Sequence, residues 1–209
     1  MESKRLAVFA SGRGSNFQAI LEKTLTGFIP ALISLLITDN PEAGAIKIAQ
    51  KNNIFWRIIN PKDFADRKAF NDKILTELIQ ANIDFIILAG YLKLVGKQIV
   101  DRYSNKIMNI HPALLPSFGG KGMYGHHVHQ AVYDRGVKVS GVTVHLVNNE
   151  YDDGPIVLQR CVPIEKVKTP EEIASSVLRV EHEIFPQAVK LMVEERLRVV
   201  GSRVEIIGD

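Results

Sequence analysis

The chain has 209 residues, 46% apolar and 23% charged, the balance of a single soluble α/β domain rather than a disordered or fibrous chain. Its 26 Lys and Arg against 23 Asp and Glu leave a net charge of +3, too mild to imply a nucleic-acid or membrane partner. Cys161 is the only cysteine, which excludes an intrachain disulfide and all-thiolate metal sites. The apolar run after the polar start is too short for a signal peptide and none is long enough to span a membrane, so a cytoplasmic home is expected.

Short β-branched runs alternate with amphipathic helices along the first half. Leu6 to Ala10 reads as a first strand, followed by Ser11-Gly12-Arg13-Gly14-Ser15-Asn16 and a helix carrying Phe17, Ile20, Leu21 and Leu25 on one face. Ala31 to Thr38 is almost continuously apolar, the pattern of a strand buried on both faces. Residues 43–52 predict a helix, 55–59 a third strand, 67–81 a second long helix and 85–89 the most apolar strand. This order predicts a doubly wound, mostly parallel sheet flanked by helices, a Rossmann-like variant. Ligands then belong beyond the carboxyl ends of the strands.

The second half is less regular. Lys106 to Ile110 predicts a strand ending in His111-Pro112, and a Gly-rich loop, 119–125, precedes a helix over 126–134. Two further strands are expected at 140–147 and 156–162. Thr169-Pro170-Glu171-Glu172 is a helix start, with Thr169 as cap, Pro170 at the first helical position and Glu172 closing a capping box. A break or kink is expected at Pro186. The tail over 196–207 predicts a hairpin whose Gly201-Ser202 suits a type II′ turn.

The glycine loop invites a dinucleotide reading, and Asp39 stands where a ribose-binding acid would. The third small residue of that fingerprint falls on Phe17, however, too large for close helix–strand packing. What survives is a cradle for one phosphate at a helix N-terminus, with Ser15 and Asn16 as side-chain donors and Asn16 also suited to the cap. A bare turn with an Asn cap is the plainer alternative. The cluster His126, His127 and His129 lacks an acid or thiol to complete a metal set, and reads as a solvated helix face. His145 is ambiguous between core and site, and His182 is read as structural. Asn109 and His111, two apart on an extended segment, face the same side and place a titratable group beside a neutral donor. That pair suits acyl transfer, one group moving a proton and the other holding an oxyanion, or else is a structural histidine with its neighbour.

The run Asn109-Ile110-His111-Pro112-Ala113-Leu114-Leu115-Pro116 resembles the N-x-H-P-x-L-L-P segment of the folate-dependent formyltransferases. Asp152-Asp153-Gly154-Pro155 resembles that family's acidic loop, and Ser11 to Asn16 resembles the phosphate loop of its purine-synthesis member. The likeness runs from about Lys4 to Val200. It implies one formyltransferase domain over 1–209, with a phosphate- and ribotide-binding half, 1–105, and a catalytic and folate-binding half, 106–209. It implies transfer of a formyl group from 10-formyltetrahydrofolate, the co-substrate, to the amine of 5-phosphoribosylglycinamide in de novo purine biosynthesis, with no metal. The partners are then these two small molecules, without nucleic acid or membrane, and a homodimer is among the assemblies allowed.

Carried over position by position, the resemblance makes Asn109, His111 and Asp152 catalytic. Gly14, Ser15 and Asn16 would bind the ribotide phosphate, and Glu181 its glycinamide end. Arg67, Leu92, Lys93, Leu94, Val95 and Asn109 would contact the formyl-folate. Lys93 stands where Arg is common, and the loop over 119–129 is longer than in shorter members. Asp152, seven residues after His145, is expected to raise the pKa of His111, whose protonated ring would donate with Asn109 to the tetrahedral oxygen. Asp-Asp-Gly-Pro is also ordinary turn sequence. The alternative within the family is an amino-sugar N-formyltransferase. Outside it stand a nicotinamide-dependent dehydrogenase and a nucleotide-binding regulatory module.

Overall fold

A computed structural model describes residues 3–208 of the chain. The backbone divides into two compact units, 1–108 and 109–209, and both are α/β.

The first unit alternates strands and helices. β1 (Lys4–Phe9), β2 (Ala31–Thr38), β3 (Phe55–Ile58) and β4 (Phe85–Leu88) are joined through α1 (Ser15–Leu25), α2 (Gly44–Lys51) and α3 (Arg67–Gln80). The strands lie in the order β3-β2-β1-β4, all pairs parallel. Their interior is apolar: Leu6, Val8, Phe9, Leu35, Leu36 and Ile86 are fully buried. The alternation of apolar runs therefore yields the doubly wound parallel arrangement expected of it. Because β1 lies between β2 and β4, the order reverses at its carboxyl end, where open α/β sheets bind ligands. The sequence periodicity missed one short helix, α4 (Lys97–Arg102), whose 6 residues are too few to show a helical stripe.

In the second unit β5 (Ile107–His111), which crosses the unit boundary, leads through the glycine loop to α5 (His126–Arg135). There follow β6 (Val139–Leu146), β7 (Ile156–Pro163), α6 (Pro170–Val193), β8 (Leu197–Val200) and β9 (Arg203–Ile206). The strand order is β5-β6-β7-β9-β8; β6 and β7 are antiparallel, β7 and β9 parallel, and β8 and β9 form the terminal hairpin. Gly201 has φ +60° while Ser202 stays at negative φ, the signature of the expected type II′ turn.

Helix α6 starts as its sequence predicts, Thr169 accepting from the Glu172 N–H at 3.3 Å. Glu172 reaches back one residue further than a simple capping box, accepting from the Lys168 N–H at 2.6 Å. The helix does not end at Pro186 but runs on to Val193. Ile184, Phe185, Ala188 and Val189 are buried around the proline, and that apolar burial outweighs one missing backbone bond, which costs about 3 kcal/mol.

Candidate active site

The chemistry-bearing residues of the second unit converge at the end of β5. Asn109 and His111 lie two apart on it, Asn109 half-buried and His111 only 3% exposed. His111 Nε2 lies 2.8 Å from the Phe118 carbonyl oxygen. A carbonyl only accepts, so Nε2 carries a hydrogen and Nδ1 is the nitrogen left to titrate. Nδ1 faces Asp152 Oδ2 at 3.5 Å.

Asp152 follows β6 in a tight loop and adopts φ +54°, a left-handed conformation that Asp tolerates better than most residues. Gly154 is required two positions on, since a Cβ there would overlap the Leu146 carbonyl oxygen. The Asp-Asp-Gly-Pro turn and the acid are thus one device: the turn aims the carboxylate. Its Oδ2 also accepts from the Gly120 N–H at 2.9 Å.

Two ionisation states follow from burial and neighbours. Burial of Asp152 would raise its pKa, yet the His145 and His111 rings and the Gly120 N–H together hold it below the usual carboxylate range. It is a carboxylate at neutral pH. For His111 the expected upward shift is not what the fold produces: its pKa lies below 6.5. Asp152 and the Phe118 carbonyl do favour the charged ring, but removal from water disfavours it more, and the charge of His145 adds to that. The resting ring is neutral.

Three further groups near His111 are ambiguous, read otherwise or unnamed in the sequence. His145, on β6, resolves as a site residue: its Nδ1 lies 2.8 Å from its neighbour's Leu146 carbonyl, and its Nε2 lies 3.1 Å from Asn109 Nδ2 and 3.7 Å from Asp152 Oδ1. In the tautomer whose Nδ1 hydrogen goes to that carbonyl, Nε2 is the acceptor for the Asn109 amide. This leaves the second Nδ2 hydrogen of Asn109 for another acceptor. His129 corrects the solvated-face reading of the histidine cluster: His126 and His127 are exposed, but His129 is 7% exposed, with Nδ1 lacking a hydrogen-bond partner. Burial, with the charges of His111 and His126, pushes its pKa down to about 4. The only sequence signal was helical phase, His129 falling one position after the buried Val128 and three before the buried Val132. The third group, the Phe118 carbonyl, is main chain and has no sequence signature.

In the first unit, Gly14, Ser15 and Asn16 open α1 beyond the carboxyl end of β1. The cap is not Asn16 but Gly14, at φ +82°, where a Cβ would come within 2.9 Å of Ala45 Cα. Only glycine allows both that left-handed turn and that approach of α2. Phe17 is fully buried, so the closely packed third position of a dinucleotide fingerprint is filled. Leu92 N–H donates to Ser11 Oγ at 3.1 Å, which ties the Leu92–Val95 segment to the start of the glycine loop. Arg67 Nη2 donates to the Leu94 carbonyl at 3.4 Å, bringing these two predicted folate contacts together. The half-exposed Lys93 sits 3.4 Å from the buried Asp39 carboxylate. Arg67 and Leu92–Val95 lie in the first unit. Glu181 is buried on α6 in the second unit. Among the described residues, no three His, Cys, Asp or Glu side chains are grouped to hold a metal ion, and no helix is long and apolar enough to cross a membrane.

A parallel α/β unit whose first strand runs into a glycine loop, and a second unit in which Asn109, His111, His145 and Asp152 lie together, fit an acyl-transfer enzyme of the formyl transferase kind. The family model for formyl transferases matches residues 4–189, and the chain belongs to that family. Within it the similarity is to phosphoribosylglycinamide formyltransferases. The chain is 37% identical to that of Bacillus subtilis over 187 residues, 90% of this chain and 93% of the relative. It is 42% identical to the chloroplastic enzyme of Arabidopsis thaliana over 199 residues, 93% of this chain but 67% of that longer protein. The crystal structure of glycinamide ribonucleotide transformylase 1 from Symbiobacterium toebii superposes with a TM-score of 0.93 at 35% identity, covering 99% of this chain and 95% of the other.

Proposed function

We propose that the chain, acting as one formyltransferase domain, transfers the formyl group of 10-formyltetrahydrofolate to the amine of 5-phosphoribosylglycinamide in purine biosynthesis. The observation that carries this reading is the Asn109–His111–Asp152 arrangement, with each group in the ionisation state the reaction needs. Similarity to enzymes of that name favours it over an amino-sugar N-formyltransferase.

The neutral amine attacks the formyl carbon, and the C–N bond that forms leaves a tetrahedral centre with a negative oxygen. Asn109 donates to that oxygen its amide hydrogen not engaged by His145. His111 Nδ1 takes the proton released by the attacking amine, and the imidazolium so formed faces the Asp152 carboxylate. It then delivers the proton to the departing folate nitrogen as the second C–N bond breaks. Gly14, Ser15 and Asn16 bind the ribotide phosphate, whose charge suits the helix N-terminus, and Glu181 takes the glycinamide end. Arg67 and Leu92–Val95 hold the folate.

The test is loss of formyltetrahydrofolate, followed spectroscopically, on addition of the glycinamide ribotide with no pyridine nucleotide present. Stoichiometric formyl transfer is expected. No turnover with the ribotide, alongside turnover of an amino-sugar nucleotide, overturns the reading.

A further inference from the structure

We propose that Thr143, together with Gln159, is a positioning residue that selects which ring nitrogen of His111 carries out proton transfer. The proposal rests on the formyl-transfer reading for its rate consequence, but not for its structural one.

Thr143 is fully buried on β6, opposite Gln159 of β7 in the strand register. Its hydroxyl donates to the Ala113 carbonyl at 2.7 Å and accepts from the Leu115 N–H at 3.0 Å. It also accepts from Gln159 Nε2 at 2.9 Å, and the same amide nitrogen donates to the Leu115 carbonyl at 3.0 Å. The hydroxyl thus uses its one donor and both lone pairs, and Gln159 divides its two amide hydrogens between the Thr143 hydroxyl and the Leu115 carbonyl. Two side chains pin residues 113–115 of the strap that leaves the active strand at His111.

The strap returns at Phe118, whose carbonyl meets His111 Nε2 at 2.8 Å. Phe118 has φ +56°, a conformation costly for an aromatic residue, which persists only where the surroundings hold it. On its far side Gly120 N–H donates to Asp152 Oδ2 at 2.9 Å; on its near side the stretch is held by the turn in which Ser117 N–H meets the Leu114 carbonyl at 3.0 Å and by the Thr143–Gln159 pair. Holding Phe118 there keeps the hydrogen on Nε2 and leaves Nδ1 toward Asp152. Two residues along the same strand, His145 sets the Asn109 amide. One strand therefore orients both working side chains of its neighbour.

The experiment compares wild type with Thr143→Val, Thr143→Ser and Gln159→Met. The ring tautomer of His111 is read in unliganded protein by NMR of 15N-labelled histidine, beside steady-state kinetics. Wild type and T143S are expected to show His111 as a single tautomer protonated at Nε2. T143V is expected to show mixed tautomers, with kcat lower by about tenfold to a hundredfold, the scale of a misplaced catalytic group, and both KM values within about twofold. Q159M, which spares the other two Thr143 bonds, should move the tautomer the same way but less, and serves if T143V does not fold. An unchanged Nε2–H pattern in T143V or Q159M, or a loss in T143S as large as in T143V, overturns the proposal. Absence of formyl transfer in wild type would instead sink the assigned reaction while leaving the tautomer measurement readable.

Discussion

The amide of Asn109 and the ring of His145 meet at 3.1 Å across adjacent strands, and the Leu146 carbonyl decides which of them donates. By accepting at His145 Nδ1, it makes Nε2 the acceptor and orients the Asn109 amide with its nitrogen inward. His145→Phe keeps the ring volume but removes that acceptor. The expected outcome is a kcat lower by about tenfold to a hundredfold. In a double-mutant cycle with Asn109→Ala the two losses should be clearly less than additive, as for groups acting as a unit. Full additivity would mean that His145 acts independently of the amide.

Asp152→Asn keeps the side-chain shape and removes the charge. In wild type the carboxylate raises the His111 pKa against the larger effect of burial. Its removal should move the His111 titration, already below 6.5, lower still. Turnover should fall by about a hundredfold to ten-thousandfold, the range for losing a partner in proton transfer. NMR titration of labelled His111 beside kcat checks both, and an unmoved titration would refute the coupling.

Asn16→Leu removes a polar side chain from the first turn of α1 while leaving the Gly14 cap in place. The KM for the ribotide is expected to rise by about tenfold, the worth of one hydrogen bond to a charged group. The KM for formyltetrahydrofolate should stay near wild type. Equal weakening toward both substrates would count against a phosphate role for this loop.

Stability should depend on pH through His129. Its folded pKa of about 4 lies below the ordinary 6.5, so between those values the unfolded chain binds a proton that the native ring does not. Stability therefore falls as pH drops from above 6.5 toward 4, by on the order of 3 kcal/mol from this group. His111, shifted in the same direction, adds to the slope. Urea midpoints at pH 7.5 and about pH 4.5 should differ in wild type, and His129→Leu should flatten the difference. An equal slope in the variant would place the pH dependence elsewhere.

Gly14→Ala should destabilise the chain while leaving Asn109, His111 and Asp152 unaltered. The φ of +82° and the 2.9 Å approach to Ala45 Cα leave no room for a Cβ. About 1–3 kcal/mol of stability is expected to be lost, the cost of a strained left-handed residue with a close contact. Thermal unfolding measures it, and an unchanged midpoint would show that α1 and α2 can move apart.

Much of this protein was legible in the residues alone. Alternating apolar runs such as Ala31–Thr38 can satisfy their backbone and bury both faces only as interior parallel strands, and those bounds hold in the structure. The eight residues from Asn109 to Pro116 specify local chain direction and side-chain type together, which is why they pointed to the family. Phe17 argued against a dinucleotide because side-chain volume is a property of one position. What the residues could not carry was any quantity summed over neighbours distant in sequence. The downward shift of His111 is a balance of burial against a carboxylate 41 positions away, and its sign changes with how completely water is excluded. His145 and His129 are the same residue type on regular elements, and only packing shows that one orients an amide and the other lies buried without a partner for Nδ1. The Phe118 carbonyl carries no side-chain identity at all. Backbone groups enter chemistry solely through the conformation that tertiary contacts impose, here the left-handed conformation of Phe118.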